Sequence, residues 1–186
     1  GVLPPQAIAA MIRAGEIAAT PEIEAGQIQP SSLDLRLGRT AYRVRASFLP
    51  GPNATVMDKV KDLGGHPLDL TNGAVLEKGC VYVVPLLESL NLQGIVTAAA
   101  NPKSSTGRLD ILTRLITDNG VAFDQVERGY KGPLYVEIAP HTFSILARTG
   151  SRLNQIRFQR AGSGIAIGEL TRLHTEGQLV RNTAAQ

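Results

Sequence analysis

Alternation of apolar and polar residues recurs along most of the chain and predicts short β-strands. In residues 28–38 (IQPSSLDLRLG), three leucines alternate with Asp34 and Arg36. The leucines then share one face of a strand and the two charged residues share the other, which predicts a half-buried strand with an ion pair between Asp34 and Arg36. Further segments of strand type, separated by Gly, Pro, Asn or Ser, are residues 41–48, 80–86, 92–98, 134–139, 143–147 and 153–158.

Helical spacing interrupts this pattern in two places. Residues 4–14 (PPQAIAAMIRA) place Ile8 and Met11 on one helical face, with prolines in the first turn and Gly15 after the last. Residues 108–116 (RLDILTRLI) show the same spacing directly after a Ser-Ser-Thr-Gly turn. The sequence therefore predicts a short N-terminal helix and a second helix after that turn.

Many short strands without regular alternation of strand and helix predict a mainly β fold. We expect a distorted β-barrel or jelly-roll that carries the two helices. Residues 57–73 mix charges with glycine and proline and indicate an irregular excursion. We assign residues 1–168 to one domain and residues 169–186 to a terminal helix or linker.

Composition limits what the chain can bind. The 186 residues are 43% hydrophobic and 19% charged, as in a globular domain, and the net charge is only +3 with no tryptophan. Scattered basic residues and few aromatics favour a small anionic ligand over nucleic acid. The single cysteine, Cys80, excludes an internal disulfide and a thiolate zinc site. No apolar run approaches the ~20 residues that span a membrane and no leader is visible, so we expect a cytoplasmic protein.

Residues 103–108 (KSSTGR) have the composition of an anion site. Small residues let backbone amides converge, hydroxyl groups add donors, and Lys103 and Arg108 flank the turn with positive charge. Serine and threonine also cap helices for purely structural reasons. The residues alone leave phosphate binding and simple capping both open.

Glu137 is the second candidate. In the segment LYVEI, alternation puts Glu137 on the same face as Tyr135 in an otherwise apolar strand. A carboxylate beside an apolar surface is suited to accept and release a proton during catalysis. The alternative is a strand glutamate that faces solvent.

Four segments in this order resemble motifs of the deoxycytidine triphosphate deaminases: QPSSLDLRLG (29–38), KSSTGR (103–108), RGYKGPLYVEI (128–138) and SRLNQIRF (151–158). Their ordered occurrence is more specific than any one motif. The wording NPKSSTGRLD resembles the N-terminal half of a longer bacterial subfamily. The resemblance implies a dUTPase-like fold and a homotrimer, or a pseudo-symmetric assembly of such domains.

The resemblance also implies an activity, the hydrolytic deamination of dCTP to dUTP and ammonia. Glu137 would activate the water that attacks C4 of cytosine, Ser104 would orient that water, and Arg108 would supply a fixed positive charge beside the reacting centre. The chain lacks the His-x-Glu and Pro-Cys-x-x-Cys patterns of zinc deaminases, which agrees with zinc-independent chemistry.

Substrate-binding roles follow from the same resemblance. The phosphate oxygens would be held by Lys103, Ser105, Thr106 and Gly107, with Gln155 on the phosphate tail. Asp124 would accept from the 3′-hydroxyl of the deoxyribose, and Tyr135 would contact the substrate. Mg²⁺ would be bound through the triphosphate and not by a protein metal site. The expected partners are dCTP and dUTP, with neither nucleic acid nor membrane.

Two other functions fit the same residues. One is a dUTP pyrophosphatase, in which Asp124 would activate water against the α-phosphate. The other is a non-catalytic half that supports oligomer assembly or nucleotide sensing.

Overall fold

The structure, a computed structural model, describes residues 1–160, 172, 174 and 175. Its helices are α1 (Pro5–Arg13), α2 (Val56–Asp62) and α3 (Ser104–Arg108), with a 3₁₀ turn at Ala25–Gln27. Its strands are β1 (Ile17–Ala19), β2 (Leu33–Leu35), β3 (Thr40–Val44), β4 (His66–Asp69), β5 (Ala74–Leu76), β6 (Val81–Asn91), β7 (Val96–Pro102), β8 (Ile111–Thr117), β9 (Gln125–Val126), β10 (Lys131–Pro140), β11 (Ile145–Ala147) and β12 (Asn154–Arg160). The predicted mainly β fold and the predicted N-terminal helix are confirmed.

Antiparallel pairing joins these strands into two main sheets. The larger sheet has the order β4-β3-β6-β10-β8, with β1 also paired to β6, and the smaller has the order β2-β12-β7-β9. Strands β5 and β11 form a separate ribbon. The main core lies between the two sheets, where leucines of β2 and Phe158 meet Leu134, Val136 and Ile138 of β10.

A second apolar cluster covers the opposite face of the larger sheet. It contains Val83, Ile116 and Tyr135 from the sheet and Val56 and Val60 from α2. Because neighbouring residues of β10 alternate between faces, the face that carries Tyr135 also carries Glu137. Helix α2 therefore packs on the same face of the sheet as the predicted catalytic carboxylate.

The irregular excursion predicted for residues 57–73 is wrong, since this segment contains most of α2 and all of β4. The helix begins with a capping box in which the Thr55 hydroxyl accepts from the Asp58 amide at 3.1 Å. Val56 and Val60 lie one turn apart and are both buried. The charges that suggested a loop belong to the exposed side of this short amphipathic helix.

The helix predicted for residues 108–116 is also wrong. The Ser-Ser-Thr-Gly-Arg segment is itself the helix α3, and Ile111–Thr117 is strand β8, paired with β10 along its whole length. Asp110 has φ 54°, a left-handed conformation that ends a helix. The apolar residues Ile111, Leu112, Leu115 and Ile116 follow a helical spacing, and the pairing with β10 overrides it.

The predicted ion pair between Asp34 and Arg36 does not form. Arg36 instead donates to Glu88 at 2.8 Å, and both side chains are buried. Asp34 pairs with Lys103, which follows β7. Strand β2 is short and buried throughout, so each charged residue finds its partner on a different neighbouring segment.

The remaining strand predictions are recovered with shifted bounds. The segment predicted at 92–98 forms a strand only from Val96, and the one predicted at 80–86 extends to Asn91. The terminal helix or linker predicted for residues 169–186 lies outside the described residues, apart from Arg172, His174 and Thr175, which are helical. Among the described residues, no helix is both long and apolar enough to cross a membrane.

Candidate active site

Helix α3 displays most of the predicted anion-binding residues. Ser104, Ser105 and Arg108 are exposed, and the Arg108 side chain forms no hydrogen bond or ion pair with another described residue. Thr106 is 3% exposed, so its side chain turns inward and contributes to packing. The amides of Thr106 and Gly107 donate to the Lys103 carbonyl at 2.9 Å. The hydroxyl groups and the Arg108 guanidinium are therefore the groups that remain open to a ligand.

Gln155 of β12 and Lys103, which directly follows β7, come from neighbouring segments of the smaller sheet. The register places Gln155 opposite both Asp34 and Asn101, two residues before Lys103. Lys103 forms an ion pair with the buried Asp34 carboxylate, whose Oδ1 has no hydrogen-bond partner among the described residues. The Ser32 hydroxyl donates to Gln155 Oε1 at 3.1 Å. The fold thus brings together two predicted phosphate contacts that are far apart in sequence.

Glu137 lies at the centre of β10 and is 1% exposed. Arg114 of β8 stands directly opposite it and donates to its Oε1 from Nε at 3.0 Å and from Nη2 at 2.5 Å. Oε2 is buried and has no hydrogen-bond partner among the described residues. The alternative of a solvent-facing strand glutamate is therefore excluded.

Arg114 is the residue near Glu137 that the sequence prediction missed. When residues 108–116 are interpreted as a helix, Arg114 falls on a solvent-facing turn. When residues 111–117 are interpreted as a strand, Arg114 shares a face with Leu112 and Ile116, opposite to Ile111 and Leu115. Its pairing with Glu137 depends on the register between β8 and β10, which the sequence of either segment alone does not determine.

Asp124 is held against β8 beside Arg114. Its Oδ1 accepts from the Leu115 amide at 2.7 Å, and its own amide donates to the Leu115 carbonyl at 2.9 Å. It has φ 61°, which aspartate tolerates better than most residues. Burial raises the pKa of Asp124, while the Leu115 amide and the Arg114 charge act in the opposite direction. Asp124 thus anchors the loop between β8 and β9 to the strand that carries Arg114.

Tyr135 packs in the apolar cluster of the Glu137 face and is 6% exposed. Burial raises the pKa of Tyr135 to about 12, helped by the negative charge of Asp118. The phenol therefore stays neutral at ordinary pH. In this position its main contact is with protein.

A cleft of about 450 Å³ lies between residues 117–122 and 127–131. The hydroxyl of Tyr130 donates to the Pro133 carbonyl at 2.6 Å and accepts from the Asp118 amide at 3.2 Å, which fixes one wall. Burial raises the pKa of Tyr130. Charged side chains of Asp118, Glu127, Arg128 and Lys131 line the cleft, and none of the predicted site residues does.

The predicted catalytic residues fall into two groups within one chain. Ser104 and Arg108 lie on α3, which connects the smaller sheet to the larger, whereas Glu137 lies on the α2 side of the larger sheet. Among the described residues no hydrogen bond or ion pair joins Glu137 to Ser104 or Arg108. Nor does this part of the chain contain a group of three or more His, Cys, Asp or Glu side chains that could hold a metal ion.

Comparison with known proteins supports the resemblance. Residues 1–162 match the family model of the 2′-deoxycytidine 5′-triphosphate deaminase (DCD) N-terminal domain. The crystal structure of 2′-deoxycytidine 5′-triphosphate deaminase from Agrobacterium tumefaciens is similar at 52% sequence identity and a TM-score of 0.87. The alignment covers 98% of this chain and 54% of that one, so the chain spans about half the length of that protein.

One further solved structure shows only a weak similarity to this chain. The native dUTPase of EIAV has 16% identity and a TM-score of 0.40, over 50% of this chain and 71% of that one, which is too distant to bear on function. No curated protein matches the chain. The family match over nearly the whole described region confirms the relationship that the four ordered motifs predicted. The chain belongs to the family of 2′-deoxycytidine 5′-triphosphate deaminase N-terminal domains.

Proposed function

We propose that this chain carries a site for the hydrolytic deamination of dCTP to dUTP and ammonia, with Glu137 as the group that activates water. The observation that carries the proposal is the state of the Glu137 carboxylate. It is buried in a central strand, one oxygen is bound by Arg114, and the other has no partner among the described residues. A buried polar atom without a partner is costly and is common at functional sites.

Proton transfer by Glu137 balances the reaction. Oε2 accepts a proton from water as the water oxygen bonds to C4 of cytosine, and Glu137 passes this proton to N3 as the C4–N3 double bond becomes a single bond. Glu137 then takes the proton of the new C4 hydroxyl group and gives it to the 4-amino group, which leaves as ammonia while C4 keeps the oxygen as a carbonyl group and the carboxylate is restored. A carboxylate fixed beside the reacting carbon can serve as base and then as acid without zinc.

Ser104 and Arg108 have complementary roles in this proposal. The exposed Ser104 hydroxyl orients the attacking water, and the exposed Arg108 guanidinium stabilises negative charge that develops on the pyrimidine. Both side chains are open to a ligand, which supports these assignments. Their separation from Glu137 within one chain also supports a trimeric or pseudo-symmetric assembly, in which a second domain contributes to each site.

The triphosphate is assigned to the face that carries Lys103 and Gln155. The ammonium, amide and hydroxyl groups there can donate to phosphate oxygens, and the charge of Lys103 disfavours a metal cation beside them. Mg²⁺ is therefore held by the triphosphate oxygens and water, as is usual for nucleotide-bound magnesium. Thr106 supports this face from inside, and Asp124 together with Tyr135 is assigned to the nucleoside.

A product assay tests the proposal. The chain is incubated with dCTP or dUTP in the presence of Mg²⁺, and ammonia, dUTP and pyrophosphate are measured. Release of ammonia from dCTP without pyrophosphate supports the proposal. Pyrophosphate from dUTP would identify a pyrophosphatase instead, and nucleotide binding without turnover would identify a non-catalytic domain.

A further inference from the structure

Arg114 and Glu137 occupy opposite positions in the pairing of β8 with β10. The guanidinium donates twice to the carboxylate, from Nε at 3.0 Å and from Nη2 at 2.5 Å. The Glu137 side chain is 1% exposed and that of Arg114 is 29% exposed. The pair is therefore largely removed from solvent, where charge-assisted hydrogen bonds are strong.

The pattern of these two hydrogen bonds distinguishes the pair from an ordinary structural ion pair. An arginine that serves only to neutralise a buried carboxylate commonly binds both oxygens in parallel. Here both donors converge on Oε1, and Oε2 is left buried without a partner among the described residues. A purely stabilising pair gains nothing from this arrangement, whereas a base needs one oxygen that is free and fixed in direction.

The guanidinium is itself held by two segments outside the sheet. Nη2 donates to the Ser47 hydroxyl at 2.7 Å, in the loop between β3 and α2. The guanidinium carbon lies 4.0 Å from the ring centroid of Phe123, in the loop between β8 and β9. Arg114 is thus braced from both sides, and its rotation about the carboxylate is restricted.

We propose that Arg114 is a positioning residue for deamination, because it binds Oε1 of Glu137 and so directs Oε2 toward the attacking water. This inference rests on the proposed function of Glu137. Arg114 itself does not touch the substrate. Ser47 and Phe123 act one step further out by keeping the guanidinium in place.

The test compares the steady-state kinetics of dCTP deamination in the wild-type chain, Arg114→Gln and Arg114→Lys. We expect kcat to fall on the order of 10²-fold in Arg114→Gln, with KM for dCTP changed by less than about threefold, because the lost interaction acts on the reacting water. Arg114→Lys keeps the charge and should recover part of kcat. Arg43→Gln is the matched control, since Arg43 is a strand arginine in an exposed ion pair with Glu77, and it should leave both constants unchanged.

Each outcome is decisive. An active wild type with unchanged kcat in Arg114→Gln would overturn the inference alone, as would a rise in KM at constant kcat. A wild-type chain that releases no ammonia from dCTP would overturn the proposed function and this inference with it. If Arg114→Gln fails to fold, Ser47→Ala replaces it, since that change removes only the brace at Nη2. A severalfold fall in kcat is then expected, and an unchanged kcat contradicts the inference.

Discussion

Lys103, a predicted phosphate ligand, is bound to the buried carboxylate of Asp34. Asp34 is 1% exposed, and its Oδ1 has no partner among the described residues. The lysine therefore has a structural task in addition to the binding role that we propose for it. These two roles make different predictions.

Replacement of Lys103 separates the two roles. Lys103→Met leaves a buried charge unpaired and should lower the free energy of unfolding by about 2–3 kcal/mol, less than for a fully buried pair because the lysine is partly exposed. The double variant Lys103→Met with Asp34→Asn should recover most of this stability. Its KM for dCTP should stay raised by about tenfold, because the charged donor to phosphate is still missing. Denaturant unfolding and steady-state kinetics provide the two readouts, and recovery of both together would refute the phosphate role.

The Arg36–Glu88 pair should be important for stability. Arg36 donates to Glu88 and to the Pro21 carbonyl at 2.7 Å, and Gln27 donates to the same Glu88 oxygen at 2.8 Å. Arg36→Met should therefore lower the free energy of unfolding by about 3–5 kcal/mol, because the Glu88 charge stays buried. Arg43→Gln, which breaks an exposed pair, should change it by less than about 1 kcal/mol. If urea unfolding showed the same loss of free energy in both variants, the larger contribution expected from the buried pair would be contradicted.

The strand interpretation of residues 111–117 shows where sequence reasoning succeeds and where it fails. The mainly β fold followed from alternation, the N-terminal helix from helical spacing, and the family from four ordered motifs. The segment containing Leu112, Arg114 and Ile116 has its apolar residues at helical spacing, yet pairing with β10 makes it a strand. The sequence of one segment does not determine which strand it pairs with. Arg114 was therefore not predicted as the neighbour of Glu137.

Long-range pairing also explains the other differences. Asp34 and Arg36 alternate with leucines, and the sequence suggests that they pair with each other. Each is instead matched by a charge on another segment, at Lys103 and Glu88 respectively. The capping residue Thr55 was a local signal for α2 that could have been found, since Asp58 lies three residues later.

Asp124 should contribute to the pH dependence of stability. Its pKa is raised by burial above the ordinary value, so the folded state binds the proton more tightly than the unfolded state. The Asp124 carboxyl group contributes most to the free energy of unfolding below its ordinary pKa of 3.8, and this contribution is lost as the pH rises through its pKa in the folded state. Asp124→Asn keeps an oxygen for the Leu115 amide and removes this dependence. Relative to the wild type, the variant should therefore gain stability as the pH rises from 3 to 7 in urea unfolding, and a constant difference would contradict the raised pKa.

The most direct test of the central claim is ammonia release from dCTP by Glu137→Gln. The glutamine keeps an acceptor oxygen for Arg114 but cannot take a proton from water, so the rate should fall by at least about 10²-fold while the unfolding transition stays cooperative. Glu77→Gln, at an exposed glutamate paired with Arg43, should match the wild type. Undiminished ammonia release by a folded Glu137→Gln chain would contradict the assignment of Glu137 as the group that activates water.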